Sequence, residues 1–361
     1  MRFSDWLEAV RRFGRTRTRA RRSVAARPAA EVLEDRTLLT VTTTFLQSAG
    51  ELQVIADAGE SIQIRSNAAA TPGVEVLVDG VVDPSLPDVA AADVQTIIVR
   101  GGEKANVIDL SAVSSVQFTS LSRIEIDGGD GNDTLIGTDD ANLADSLAGG
   151  DGDDTIQGLD GNDTIDAGHG NDSVDGGSGD DSLVAGDGND SVTGGDGGDT
   201  IIAGDGDDLI DGATGDDTIS GGDGADSLSG GDGNDSVDGG QGRDTLIGND
   251  GDDQLFGNSG ADALYGDDSD TAVAGLGNDT LMGQGGNDTL HGGGGADLLD
   301  GGSGDDIIES GADAAGISQQ SRLFAVPADG SNTIVEIDPT TGLELNRFAA
   351  PEPVRPRRLG L

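Results

Sequence analysis

The sequence predicts an all-β fold built by stacking short coils into a solenoid. Three observations predict it. A nine-residue unit repeats without a slip from Gly149 to Tyr265, thirteen times over 117 residues. The eighth position of every unit is aliphatic. The chain also lacks the bulky side chains that an ordinary core needs: aromatic residues are 2% of its 361 positions, while glycine occurs 62 times. Glycine and charge at this level without a period read as disorder, and the period decides against that.

The repeats span residues 128–309. One unit, GGDGNDTLI at Gly128–Ile136, precedes the unbroken block, and a twelve-residue insertion, GTDDANLADSLA at Gly137–Ala148, separates the two. A degraded unit, GDDSDTAV at Gly266–Val273, follows the block. Four more units start at Ala274, Gly283, Gly292 and Gly301, making eighteen well-formed units. Position eight holds Leu135, Ile156, Ile165, Val174, Leu183, Val192, Ile201, Ile210, Ile219, Leu228, Val237, Leu246, Leu255, Leu264, Leu281, Leu290, Leu299 and Ile308. Positions seven to nine read as a three-residue strand whose middle residue points inward.

One aliphatic side chain per nine residues is a thin core. Its burial returns less free energy than the ordering of nine backbone residues costs. Something besides apolar burial has to hold such an array together.

Charge says what that is. The formal net charge is −48. Residues 1–36 are basic, with ten Arg against five acids, whereas residues 128–309 carry 45 Asp and Glu against Arg243 alone. A segment so acidic repels itself unless cations neutralise it. Nucleic acid is excluded as a partner, because binding it needs a basic surface. The absence of Cys excludes disulfides, thiolate zinc sites and a Cys nucleophile. No apolar run approaches the roughly 18–20 residues that span a bilayer.

Each unit reads G-G-x-G-x-D-x-U-x, with U aliphatic. The glycines allow positive φ and a sharp turn, which directs carbonyl oxygens inward. Asp at position six adds a carboxylate. Calcium takes six to eight such hard oxygens in flexible geometry. Magnesium demands a tighter octahedron and keeps its waters, and transition metals favour the His and Cys that are scarce here. Ion binding and folding are therefore expected to be coupled.

This pattern resembles the hemolysin-type calcium-binding repeat, also called the RTX repeat, over about half the chain. The resemblance implies a right-handed parallel β-roll. Two consecutive units make one turn, odd and even loops lie on opposite sides, and Ca²⁺ ions sit between loops stacked on the same side. The metal ligands it implies are the position-six carboxylates Asp133, Asp154, Asp163, Asp172, Asp181, Asp190, Asp199, Asp208, Asp217, Asp226, Asp235, Asp244, Asp253, Asp262, Asp279, Asp288, Asp297 and Asp306, with Asp154 bridging to Asp172 and Asp163 to Asp181. The unit at Gly266 has Thr271 in place of the aspartate and Ser269 in place of a glycine, so a lost or weakened site and a kink are expected there. Arg243, His169 and His291 are expected to face solvent.

The flanks differ in character. Residues 1–40 form a basic leader. Phe3, Trp6, Leu7, Val10 and Phe13 fall at helical spacing, which suits either an amphipathic helix touching an anionic membrane or a disordered tail. Its end, LEDRTLLT at Leu33–Thr40, resembles the LExRxLL motif near the start of large exported bacterial surface proteins. Residues 41–127 hold alternating segments, from TVTTTFLQ through ELQVIAD, SIQIRSN, VEVLVDG and VQTIIVRG to RIEIDGG, read as the strands of a β-rich cap. NVIDLSAV at Asn106–Val113 fits a further coil. Residues 310–361 read as three strands that resemble one β-propeller blade with an IDPxTG turn. Either they are a small terminal cap, or the chain is a truncated piece of a larger propeller protein.

Three functions follow. The first is a non-catalytic calcium-binding module of a secreted or cell-surface protein, folding where calcium is available. The second is part of a larger extracellular enzyme, for which the chain offers neither H-E-x-x-H nor G-x-S-x-G. The third is an adhesin whose stiff face meets a surface or matrix polysaccharide.

Overall fold

The computed structural model describes residues 41–309, apart from 48, 57–58, 68–72, 85, 87–88 and 268–276, and beyond them the strands Leu323–Ala325, Thr333–Ile337 and Glu344–Ala349. The leader helix and the LEDRTLLT motif fall outside the described residues.

Alternate units of the repeat contribute to two parallel sheets. Thr155–Asp160 pairs with Ser173–Ser178, which pairs with Ser191–Asp196; the units between them send Thr164–His169, Ser182–Asp187 and Thr200–Asp205 into the other sheet. The register advances by eighteen residues at each step, as in Ile156 opposite Val174 and Ile165 opposite Leu183. Two nine-residue units thus make one coil of the expected parallel β-roll.

The strands are longer than the three residues expected. Most in the unbroken block run for six, through positions seven to nine and on into positions one to three of the next unit. The inward-facing residues are therefore two per strand. Position eight is buried from Leu135 to Leu290, and position one carries a buried glycine or a buried alanine, as at Ala167, Ala185 and Ala203. Position one is crowded: a Cβ on Gly158 would meet the Gly176 carbonyl oxygen of the next coil and the Asp163 carboxylate.

Two irregular segments keep the register of the ladder, and for the first this overturns its reading as an insertion between repeats. GTDDANLADSLA is one further unit, half a coil, with a lengthened loop: it leads into the strand Asp145–Asp151, with Leu147 opposite Ile126 and Ile165. Likewise the degraded unit and its successor together take the place of one unit. Gly266 opens it, and Thr280–Met282 closes it in register with Gln254–Phe256. The ladder continues across this segment, while Ser269 and Thr271, where a lost or weakened site was expected, lie outside the described residues. Pairing is decided by the few residues around positions six to eight, so loop length varies without disturbing the ladder.

All six strands expected in residues 41–127 are present. They belong to the same two sheets. Glu51–Ile55, Thr96–Arg100 and Arg123–Asp130 are parallel neighbours leading into one, and Ser61–Ser66, Val107–Asp109 and Thr134–Ile136 into the other. Antiparallel partners close each starting edge: Thr42–Leu46 covers Glu51–Ile55, and Val74–Val78 covers Ser61–Ser66. Capping an edge this way removes a row of open peptide groups. The core here is also denser, with Phe118, Leu52, Ile62, Ile97, Ile108 and Ile124 fully enclosed. At the far end Leu323–Ala325 meets Ile307–Glu309 antiparallel at Ile308 and Phe324, and the last three strands form an antiparallel meander.

Position two turns the chain with positive φ, as at Gly150 (φ 113°). Five non-glycine residues are held in the same region at this position: Leu159, Ala213, Asn249, Asn258 and Gln284, with φ between 64° and 78°. For a residue with a Cβ this conformation costs about 1–2 kcal/mol. Ala213→Gly is therefore expected to stabilise the calcium-loaded protein by about 1 kcal/mol, offset in part by the freer unfolded chain; thermal melting in saturating calcium measures it.

Candidate metal centre

The position-six aspartates line up in two rows, one along each long side of the solenoid. Within a row each carboxylate reaches back one coil. The Asp154 N–H donates to Asp172 Oδ1 at 2.7 Å, Asp172 N–H to Asp190 Oδ1 at 2.8 Å, and Asp190 N–H to Asp208 Oδ1 at 2.8 Å. On the other side Asp163, Asp181, Asp199 and Asp217 are joined in the same way at 2.7–2.8 Å. The expected pairing of a unit with the next but one is thus what the chain forms. The first row runs from Asp133 through Asp154, Asp172, Asp190, Asp208, Asp226, Asp244, Asp262 and Asp288 to Asp306. The second crosses the irregular coil without a gap, from Asp253 N–H to Asp279 Oδ1 at 3.0 Å, and ends at Asp297.

Sequence reasoning missed three members of this arrangement. Asp145 begins the second row, its N–H donating to Asp163 Oδ1 at 2.8 Å. The signal was the Asp-x-Leu of Asp145 and Leu147 just ahead of Gly149, hidden by a loop three residues too long. Asn106 begins the first row: its N–H donates to Asp133 Oδ1, and its own Oδ1 accepts the Glu60 N–H. Its Nδ2 donates to Lys104 O, a bond that no carboxylate can make. The third is a second Asx ladder at position five, reaching in the opposite direction. Asp153 Oδ1 accepts the N–H of Asn171, Asn171 Oδ1 that of Asn189, and Asn189 Oδ1 that of Asp207. The ladder ends where Ala225, which has no side-chain acceptor, donates its N–H to Asp207 Oδ1; Arg243, one coil further on, is exposed, as expected. His169 is exposed too, 3.0 Å from Asp187. His291 departs from expectation: it is partly covered, with its ring 6.3 Å from that of Tyr265.

The electrostatics of the rows are unusual. From Asp133 to Asp288 every position-six aspartate is 3% exposed or less. One oxygen of each is satisfied by an amide. The other, Oδ2, is buried with no hydrogen-bond donor in Asp133, Asp154, Asp163, Asp172, Asp181, Asp190 and on through Asp279 and Asp288. A buried carboxylate oxygen without a partner is strongly unfavourable. What surrounds it is more oxygen. A Cβ on Gly158 would meet both Asp163 Oδ2 and the Gly176 carbonyl oxygen within 3.0 Å, and one on Gly212 both Asp217 Oδ2 and Gly230 O. Carboxylate and carbonyl oxygens thus converge around position one, on a space that no side chain fills wherever that residue is glycine and that only a methyl group enters at Ala167, Ala185 and Ala203. A hard cation fits this donor set, and calcium, with its many flexible oxygen ligands, fits it best.

Burial, reinforced by the neighbouring carboxylates, raises the carboxyl pKa in these rows. Asp154, Asp172 and Asp226 are pushed to about 6, and Asp181, Asp217, Asp253 and Asp279 to about 7. A carboxyl whose folded value is raised lends stability that is complete below its unfolded value, near 4, and lost as pH rises through 6–7. In chelator, acidification from pH 7.5 to 5 is therefore expected to increase the β content of the protein. In calcium the sign reverses, because protons compete with the ion. Circular dichroism at the two pH values, with and without calcium, measures both.

Among the described residues no helix is long and apolar enough to cross a membrane. No curated protein matches the chain. The family model of the RTX calcium-binding nonapeptide repeat matches residues 125–144 and, through overlapping copies, 148–308. These matches coincide with the coils that carry the aspartate rows and cover half of the sequence, so the chain belongs to the RTX calcium-binding nonapeptide repeat family.

Proposed function

We propose that the two aspartate rows hold calcium ions in series and that the chain is an exported, non-catalytic structural module that completes its folding when it meets calcium outside the cell. The observation that carries this reading is the repeated buried Oδ2 without a donor. A coil of this kind at neutral pH places two uncompensated carboxylates in its interior, and a divalent ion between successive carboxylates of a row removes that cost. Asp133, Asp154, Asp172, Asp190, Asp208, Asp226, Asp244, Asp262, Asp288 and Asp306 would serve one side, and Asp145, Asp163, Asp181, Asp199, Asp217, Asp235, Asp253, Asp279 and Asp297 the other. Carbonyl oxygens at position one, such as those of Gly176 and Gly230, would complete the shell.

Export is supported by the ion itself. Extracellular calcium modules work at roughly 10⁻⁴–10⁻³ M, concentrations the cytoplasm does not hold. A chain that stays open inside and closes outside suits passage through an export channel. A structural role is supported by the division of labour among the carboxylates: those buried in rows are tied to amides of neighbouring coils, which leaves them unsuited to proton transfer at a substrate.

Titrating the full chain with calcium and, separately, with magnesium, after chelator treatment at pH 7.5, tests the reading by far-UV circular dichroism. A cooperative gain of β structure in calcium at concentrations where magnesium has little effect is the expected result. Equal β content in chelator and in calcium, or an equal response to magnesium, would refute it.

A further inference from the structure

The irregular coil that opens at Gly266 carries a carboxylate that the repeat does not call for. We propose that Asp267 is an additional calcium ligand, making the cation site at this coil richer in carboxylate than its neighbours in the row; the inference rests on the reading that the position-six aspartates hold calcium.

Asp267 stands at position two, which is glycine in most units, Thr138 in the long-looped unit at Gly137, and elsewhere one of the five residues Leu159, Ala213, Asn249, Asn258 and Gln284. Those five residues all have positive φ, and Asp267 does not, so its side chain leaves the backbone in a different direction. It is 7% exposed. Its Oδ2 accepts the Gly294 N–H, while its Oδ1 is buried without any donor. The nearby basic group does not supply one: His291 Nδ1 is itself buried without a partner.

The surroundings are those of the aspartate row. The residue just before Asp267 borders the row's free oxygens, since a Cβ on Gly266 would meet both Asp279 Oδ2 and Gly292 O within 3.0 Å. Asp253 and Asp279, the two row members on either side of this step, both feel the charge of Asp267. Asp279 Oδ2 has no donor either. Asp279 Oδ2 thus stands beside the Gly292 carbonyl oxygen, and Asp267, whose Oδ2 lies against Gly293, brings a second donorless carboxylate oxygen to the same step of the row. Neutralising them takes a cation with several oxygen ligands, and one more carboxylate raises the affinity of such a site. Sequence reasoning expected a lost or weakened site here, because Thr271 and Ser269 break the motif; on the present proposal Asp279, already expected as a row member, and Asp267 supply the carboxylates of this step.

Tyr265, the only tyrosine in the chain, lies two residues away and gives the site its own signal. Terbium(III), which takes the oxygen ligands of calcium, emits when a nearby tyrosine is excited, and the transfer falls steeply with distance. The experiment titrates the full chain with terbium and reads the part of the tyrosine-excited emission that Tyr265→Phe removes. Asp267→Asn is expected to raise the terbium concentration at half-signal about tenfold, with the calcium midpoint of the far-UV circular dichroism unchanged. Asp267→Gly, which restores the residue most common at position two, is expected to do the same. An unshifted half-signal in both variants, with terbium still bound along the array by direct excitation, would overturn the role of Asp267 alone. Directly excited emission that stays at the free-ion level would overturn the calcium reading of the whole array, and this inference with it.

Discussion

Each coil of this protein places two aspartates where solvent does not reach, gives one oxygen of each to a peptide N–H of the preceding coil, and leaves the other facing carbonyl oxygens. The rest of the structure follows from that constraint. The amide bonds fix the spacing of successive coils and so set the eighteen-residue register of both sheets. The facing oxygens require that position one stay as small as Gly158 or Ala167, because a larger side chain would occupy the space they share. A small position one leaves each strand with one substantial inward side chain, such as Ile156 or Ile165. That keeps the core thin, and on the proposed reading it makes ion binding part of the folding free energy.

The two ends of the solenoid solve the same problem differently. Between Glu51 and Ile126 the coils are held by branched aliphatic residues and Phe118. Asn106 stands where the array has aspartate, and its amide nitrogen finds a carbonyl in place of an ion. The first coil of the row is thus complete without calcium, and its Oδ1 and N–H present the geometry that the next coil copies. With its sheet edges closed by Thr42–Leu46 and Val74–Val78, this part is fit to act as a template on which the acidic coils add one by one.

Much of the fold was legible because the physics that builds it is periodic. Position eight and position six repeat in the sequence as they do in space, and alternation in residues 41–127 marked six of the strands there, though not the short Val81–Val82. The illegible parts are those where the period and the hydrogen bonding part company. The coil through Asp145 and the coil from Gly266 to Met282 keep their pairing while their loops run three and eight residues long, so a search in phase reads one as an insertion and the other as decay. Strand length was underestimated because positions one to three look like turn residues, and only the neighbouring coil makes them strand. Asn106, Asp267 and the position-five ladder of Asp153, Asn171 and Asn189 act through residues one or more coils away, which a single unit does not reveal.

The central claim is that the acidic coils depend on cations for their fold while the lead-in coils do not. Amide hydrogen exchange, resolved by peptide and compared in calcium and in chelator at pH 7.5, tests it most directly. The account predicts that chelation abolishes protection cooperatively across residues 145–309 and leaves residues 51–126 protected. Protection across 145–309 that survives chelation would contradict it, because the buried carboxylates would then be held without the ions on which this account depends.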